Sequence, residues 1–345
     1  MPSPVAEQPG VLARDPFRYS DSVLIIPPPL LGVVDLFDGV HSELDAKAEL
    51  NRITGSLDTS QILEGLWNSL SDAGFLLDDN FEQLRERRHR EFQQLDVRQA
   101  EHAGSAYPEE VDELKQTMRE YVDGSRLQHS GLVGIAAPHV SPFGGWQSYR
   151  AAYQAITPDL KDRTFVILGT SHYGQPERFG LTRKDFVTPL GRARTDAKLA
   201  GELLARAASS AVKEDYCHAV EHSIEFQVLF LQWMLGPDIN ILPVLCGPFL
   251  RSVYIGGRPE ETEEVRQLLD VLGDIGAREG NRLLWVLGID MAHMGRRYGD
   301  SIAARSEEGP MVEVRERDMA RIAQVNLGDA DGFWSLVQEK RDDLK

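Results

Sequence analysis

Nine histidines are spread over 345 residues, and three of them share a local setting. His139 leaves the apolar run Leu132 to Ala137 in "GIAAPHVSPFGGW", behind Pro138 and ahead of a Gly144-Gly145 turn. His172 follows "TFVILG", and Asp290 and His293 follow "LLWVLGI". Short apolar runs without alternation read as parallel strands covered on both faces. In open α/β sheets, ligands bind outside the carboxyl ends of the strands. Three such runs would deliver three imidazoles and a carboxylate to one sheet edge. Imidazole suits zinc, iron and copper, and a two-histidine, one-carboxylate set with open positions suits Fe(II). Taken singly, each histidine reads as a satisfied loop residue; the matched settings argue for a common site. The expectation is that His139, His172 and His293 ligate one metal, their nitrogens within roughly 3 to 5 Å of a shared point.

A fourth stretch, "HAVEHSIEFQVLF", sets Glu221 and His222 at the start of a helix predicted over 222–235, with Glu225 three residues on. A helix N-terminus keeps a histidine neutral, so His222 reads as a pocket-lining, catalytic group. The plainer reading makes Glu221 and Glu225 N-terminal caps. Asp290 would orient an imidazole or take a coordination position, and His293 would be a ligand or an acid–base group. His102 carries no local signal. Two cysteines make no disulfide framework. Cys246 reads as a buried strand thiol, whereas Cys217 lies among polar residues near two histidines.

Positioning these residues requires a sheet. Strands are predicted at 131–137, 164–169, 239–245 and 283–289, with helices at 147–157, 196–209, 222–235 and 260–275. That alternation argues an α/β fold, a mainly parallel mixed sheet with helices on both faces. The first 95 residues read differently. They hold an Asp38-Gly39 turn, a helix capped by Ser42, and an amphipathic helix with Ile62, Leu63, Leu66 and Leu70 on one face. Gly74 ends that helix, "FLL" supplies a strand, and a charged helix over 81–95 leads out. Three short helices and a small ribbon make a winged-helix-like α+β domain over 1–95, ahead of an α/β domain over 96–345. Net charge of −17 opposes binding to nucleic acid and to anionic membrane surfaces. No apolar run approaches the roughly 18 residues of a membrane span. The start, MPSPVAEQPG, lacks the pattern of a secretory signal, so a cytoplasmic location is expected.

Seven stretches recur in a telling order: "HAGSAYP" at 102–108, "APH" at 137–139, "ILGTSHYG" at 167–174, "TPLG" at 188–191, "EHSIEFQ" at 221–227, "ILPVLCG" at 241–247 and "GIDMAHMG" at 288–295. Over residues 100–345 the chain resembles the Memo family, whose bacterial members are called AmmeMemoRadiSam system protein B. The resemblance implies a fold like that of the class III extradiol (LigB-type) dioxygenases, which bind non-haem iron. It implies metal-site histidines at His139, His172 and His293 with an acidic residue at Asp290. Glu221 and Glu225 are the nearest candidates for the dioxygenases' carboxylate ligand. In the family a cysteine in a later Cys-Gly motif completes the set; this sequence runs to "QEKRDDLK" without it, so weaker metal binding is expected, along with a domain short of its C-terminal end. Ala292 stands where relatives often carry a cysteine, and "HVSPFGGW" where many have "HAGY". The first 95 residues are similar to PqqD-type modules that hold peptides for radical-SAM enzymes. The implied function is a metal-dependent redox protein using iron, with copper or zinc as alternatives, beside radical-SAM and AMMECR1-like partners. The alternatives are a non-catalytic peptide- or partner-binding protein on a dioxygenase-like fold, and a metal-assisted hydrolase.

Overall fold

A computed structural model of the chain describes residues 9–122, 124 and 126–339. They form two compact units, divided between Gln94 and Leu95. In the N-terminal unit, β1 (Val11–Arg14) and β2 (Val23–Ile26) pair antiparallel, Val11 opposite Ile26. Asp15 organises the connection, its carboxylate accepting from the N–H groups of Phe17, Tyr19 and Ser20. Helices α1 (Leu31–Val34), α2 (Glu43–Thr54), α3 (Ser60–Asp72) and α4 (Asp79–Gln94) follow. Ser42 caps α2 in a reciprocal box with Asp45. Val33, Ala46, Leu50 and Leu63 form the small core.

The strand expected at "FLL" does not form. Gly74 turns left-handed, φ 75°, and the Phe75 N–H returns to the Leu70 carbonyl at 2.8 Å. Phe75 to Leu77 is therefore the stop signal of α3, of the kind that satisfies terminal carbonyls. Asp78 then caps α4 through the Phe81 N–H. The ribbon of this unit is instead β1 with β2, ahead of the helices.

The second unit carries β3 (Val97–Arg98), α5 (Val111–Tyr121), β4 (Gly134–Ala137), α6 (Pro142–Tyr153), β5 (Thr164–Thr170), β6 (Phe179–Leu181), β7 (Asp185–Thr188) and β8 (Gly191–Thr195). It continues with α7 (Ala197–Arg206), β9 (Ala211–Lys213), α8 (Cys217–Val220), α9 (Glu225–Leu235), β10 (Asn240–Cys246), α10 (Leu250–Tyr254), α11 (Glu263–Glu279), β11 (Leu283–Gly288), α12 (Pro310–Leu327) and α13 (Ala330–Glu339). The sheet runs β3-β7-β8-β10-β5-β11-β4, with β6 and β9 attached beside β10. From β8 to β4 all neighbours are parallel; β7 and β6 run against β8 and β10. The fold is α/β with a mainly parallel central sheet.

Alternation along each strand feeds two apolar layers. Phe165, Ile167, Ile241, Leu245, Leu284 and Val286 join the layer that holds α5, α6 and α9. Val166, Leu242, Val244 and Leu283 join the layer that holds α7 and α11. Ten of the eleven residues of α9 are buried, as expected of a helix with apolar residues on every side; Glu225, Gln227 and Gln232 are buried among them. One local expectation fails here too. The Gly144-Gly145 pair lies inside α6, which begins at Pro142 instead of near 147. Proline at the first helical position pre-sets the backbone, and that start outweighs the poor helix propensity of two glycines.

Candidate metal centre

Strands β5, β11 and β4 are adjacent and parallel, so their carboxyl ends open on one edge. His139 follows β4, His172 follows β5, and Asp290 and His293 follow β11. Above them the turn between α8 and α9 brings His222. Nitrogens of His139, His172 and His222 lie within 4.8 Å of one another, a group able to hold a metal ion. Ring centroids are 5.1 Å apart for His139 and His172, 5.5 Å for His139 and His222, and 4.9 Å for His172 and His222.

Two of these rings are oriented from behind. His139 sets Nδ1 3.0 Å from the Gly288 carbonyl, the last residue of β11. His172 sets Nδ1 2.8 Å from Glu221 Oε2, while Glu221 Oε1 accepts from the backbone N–H groups of His172 and Tyr173. Each Nδ1 thereby carries the proton, which leaves Nε2 as the nitrogen with a lone pair to offer. Asp290 receives the His139 N–H at 2.8 Å and lies 3.4 Å from His139 Nε2. Its Oδ2 is also 2.8 Å from His293 Nε2.

The electrostatics favour unprotonated ligands at two of the three positions. Burial holds His139 below the ordinary imidazole value, aided by His172 and His293 against the pull of Asp290. Burial, then the neighbouring rings of His172, His139 and His102, press His222 down to about 3. At His172 burial is outweighed by the hydrogen bond and charge of Glu221, with Asp290, and its value rises.

Close backbone approach makes this geometry attainable. A Cβ on Gly288 would meet the Ser223 carbonyl at 2.8 Å, and one on Gly169 would meet Ser223 Oγ at 2.6 Å. Those two strand-end glycines let the α8–α9 turn sit directly on β11 and β5. Ser223 Oγ then donates to the Thr170 carbonyl at 2.7 Å, and Gln227 Nε2 to the Pro138 carbonyl at 2.8 Å. The turn and the start of α9 thus tie down Thr170 and Pro138, ahead of His172 and His139.

Of the sequence-derived candidates, the structure brings His139 and His172 together with His222. His293 stands outside that group of three, hydrogen-bonded to Asp290 and against the Tyr298 ring at 5.1 Å. The helix expected from 222 begins at Glu225, which leaves Glu221 and His222 in the turn. Neither glutamate caps that helix. Glu221 serves His172, and Glu225 binds Arg98, Tyr107 and the His102 N–H. Cys217 is buried with its thiol pushed well above the usual range, and burial takes the Cys246 thiol up to about 12. Neither is a thiolate at neutral pH. Arg98 lay outside every motif, and "EHSIEFQ" contained Ser223 and Gln227 without giving either a role, because all three act on backbone carbonyls distant along the chain.

Among the described residues, no helix is long and apolar enough to cross a membrane. A family model described as "Memo-like protein" matches residues 98–344. A MEMO1 family protein of Aquifex aeolicus is 30% identical over 290 residues, covering 84% of this chain and 73% of that protein. That span is longer than the second unit, so the similarity reaches into the N-terminal one. A MEMO1 family protein of Pyrococcus furiosus is 30% identical over 249 residues, 70% of this chain and 80% of its own. One of Methanosarcina barkeri is 25% identical over 218 residues, 63% of this chain and 74% of its own. With the match running through every residue of the histidine site, the chain belongs to the Memo-like family.

Proposed function

We propose that this protein is a metal-dependent redox protein that holds iron through His139, His172 and His222, with Asp290 as the adjoining carboxylate. The observation that carries this reading is the cluster of three histidines, two of which are anchored at Nδ1 by Gly288 O and Glu221 and so keep Nε2 as the nitrogen left to ligate. A donor set of imidazoles with a neighbouring carboxylate fits iron, with copper and zinc next. Bound there, iron would supply one-electron chemistry to an oxidisable substrate. The protein's own contribution is proton handling and orientation. His293, partly open to solvent and hydrogen-bonded to Asp290, holds a proton at Nε2 at the mouth of the site, the position of a general acid or base. Asp290 fixes that ring and the His139 backbone together.

Radical-SAM and AMMECR1-like proteins, the partners implied by the motif resemblance, are proposed to act with this protein. An open cleft of about 410 Å³ in the N-terminal unit, lined by Leu12, Val34, Phe37, Leu70 and Phe75 among others, supports a peptide site there. Phe37 packs 5.5 Å from Trp67, so indole fluorescence would report occupancy.

The test is metal analysis of the full chain purified without added metal, with anaerobic spectroscopy of the iron-loaded protein. Iron at one per chain, lost in His139→Ala and His172→Ala, is the expected result. Zinc in its place would point to metal-assisted hydrolysis. A folded protein that takes up no metal would overturn the reading in favour of a binding module.

A further inference from the structure

Behind the three clustered histidines lies a second group, with a buried ion pair at its heart, that the metal reading does not use. Arg98 is 1% exposed and Glu225 is 0% exposed, and the guanidinium Nη1 donates to Glu225 Oε2. Arg98 Nε donates to the His218 carbonyl at 2.8 Å, and Nη2 to the Glu221 carbonyl at 2.7 Å. His102 Nε2 meets the Val220 carbonyl at 3.0 Å. Glu225 Oε1 accepts from the His102 N–H at 3.0 Å and from the Tyr107 hydroxyl. The carbonyls of 218, 220 and 221 and the side chain of 225 are therefore all held from one segment, residues 98–107. His222 lies between these fixed points, and Glu221 is itself one of them.

We propose that Arg98, Glu225 and Tyr107 are positioning residues of the metal centre, a clamp that sets His222 directly and the His172 ring through Glu221. The inference rests on the metal reading above. A buried ion pair is a poor source of net stability, since apolar residues of similar size often serve as well. What such a pair supplies is fixed geometry, and here the fixed element is the turn bearing one ligand and the carboxylate behind another. The path is short: guanidinium to Glu221 main chain, then Glu221 carboxylate to His172 Nδ1.

Two measurements on the full chain test it. Co(II) titration reads affinity and ligand-field bands in the wild type, Glu225→Gln, Tyr107→Phe and Asp196→Ala. Asp196 caps α7 through the Lys198 and Leu199 N–H groups, so its loss destabilises without touching the site. Glu225→Gln and Tyr107→Phe should bind Co(II) about 10-fold more weakly, with shifted bands at saturation, as for other outer partners of metal ligands. Asp196→Ala should keep affinity and bands. Long-range 1H–15N NMR of the metal-free protein should show a pure Nδ1–H tautomer for His172 in the wild type and a mixture in Glu225→Gln. Should Glu225→Gln not fold, Tyr107→Phe carries both readouts. Folded variants with wild-type bands, affinity and His172 tautomer would overturn the clamp. A wild type that ignores Co(II) would overturn the metal reading, and the tautomer measurement would still decide the clamp.

Discussion

His222 and His293 differ in what surrounds them, and that difference decides which one faces the centre. His293 spends Nε2 on Asp290, whereas His222 offers a nitrogen within 4.8 Å of those of His139 and His172. His222→Ala should therefore lower Co(II) affinity by more than about 100-fold, beyond the range for outer partners. His293→Ala should leave it within about 10-fold. Equilibrium dialysis checks both, and the reverse ranking would return the third ligand to His293. A second residue-scale expectation concerns His218. Its Nε2 donates to the Gly180 carbonyl, Nδ1 has no partner among the described residues, and the ring is fully buried against Phe186. Burial lowers its pKa, with Arg98 acting the same way and Asp215 and Glu214 opposing. The unfolded chain therefore binds the proton more readily than the folded one. The stability that follows is complete above about pH 6.5 and is lost as pH falls below it, at about 1.4 kcal/mol per unit. Urea unfolding at pH 7.5 and 5.5 should show that loss reduced in His218→Gln by this amount; equal slopes would refute it.

Two glycines of opposite meaning test the packing of elements. Gly288 ends β11 under the Ser223 carbonyl, so a methyl group there must push the α8–α9 turn away. Gly288→Ala should cost about 1–3 kcal/mol in urea unfolding and weaken Co(II) binding at the same time. Gly273 lies on the exposed face of α11, with nothing within 4 Å of an added Cβ. Gly273→Ala should stabilise by about 1 kcal/mol through helix propensity and leave metal binding alone. A Gly288→Ala protein with unchanged stability and affinity would show that the turn does not need its seat on the strand. The four apolar runs were legible as strands because a buried parallel strand needs little beyond continuous apolar residues. "FLL" satisfied the same criterion and failed, since Gly74 gave α3 its terminating turn at that point.

At the scale of the molecule, every residue of the site comes from the second unit. A chain spanning 95–345 should fold alone and bind Co(II) with the affinity of the whole protein. Circular dichroism and the same titration check this; a species that is unfolded or metal-free would tie the site to the first 94 residues. The acidic charge, −17 overall, is spread over a surface with many exposed ion pairs, such as Lys47 with Glu43. Such pairs contribute little individually, so stability should rest on the two apolar layers around the sheet.

By itself the sequence determined the α/β class, the strand ends and two of the three clustered histidines. Those follow from local patterns: apolar runs, a residue just past each run, and the rule that parallel strands share an exit edge. It also carried the family, through seven motifs in order. Only the tertiary structure decided that His222 completes the cluster while His293 pairs with Asp290. That choice depends on how closely one turn approaches two glycines in different strands. The same holds for Glu221, Glu225 and Arg98. Their partners lie 49, 127 and 123 residues away in the chain, at His172, Arg98 and Glu221. No local pattern encodes a contact of that separation; the packing of β11, β5 and the α8–α9 turn does.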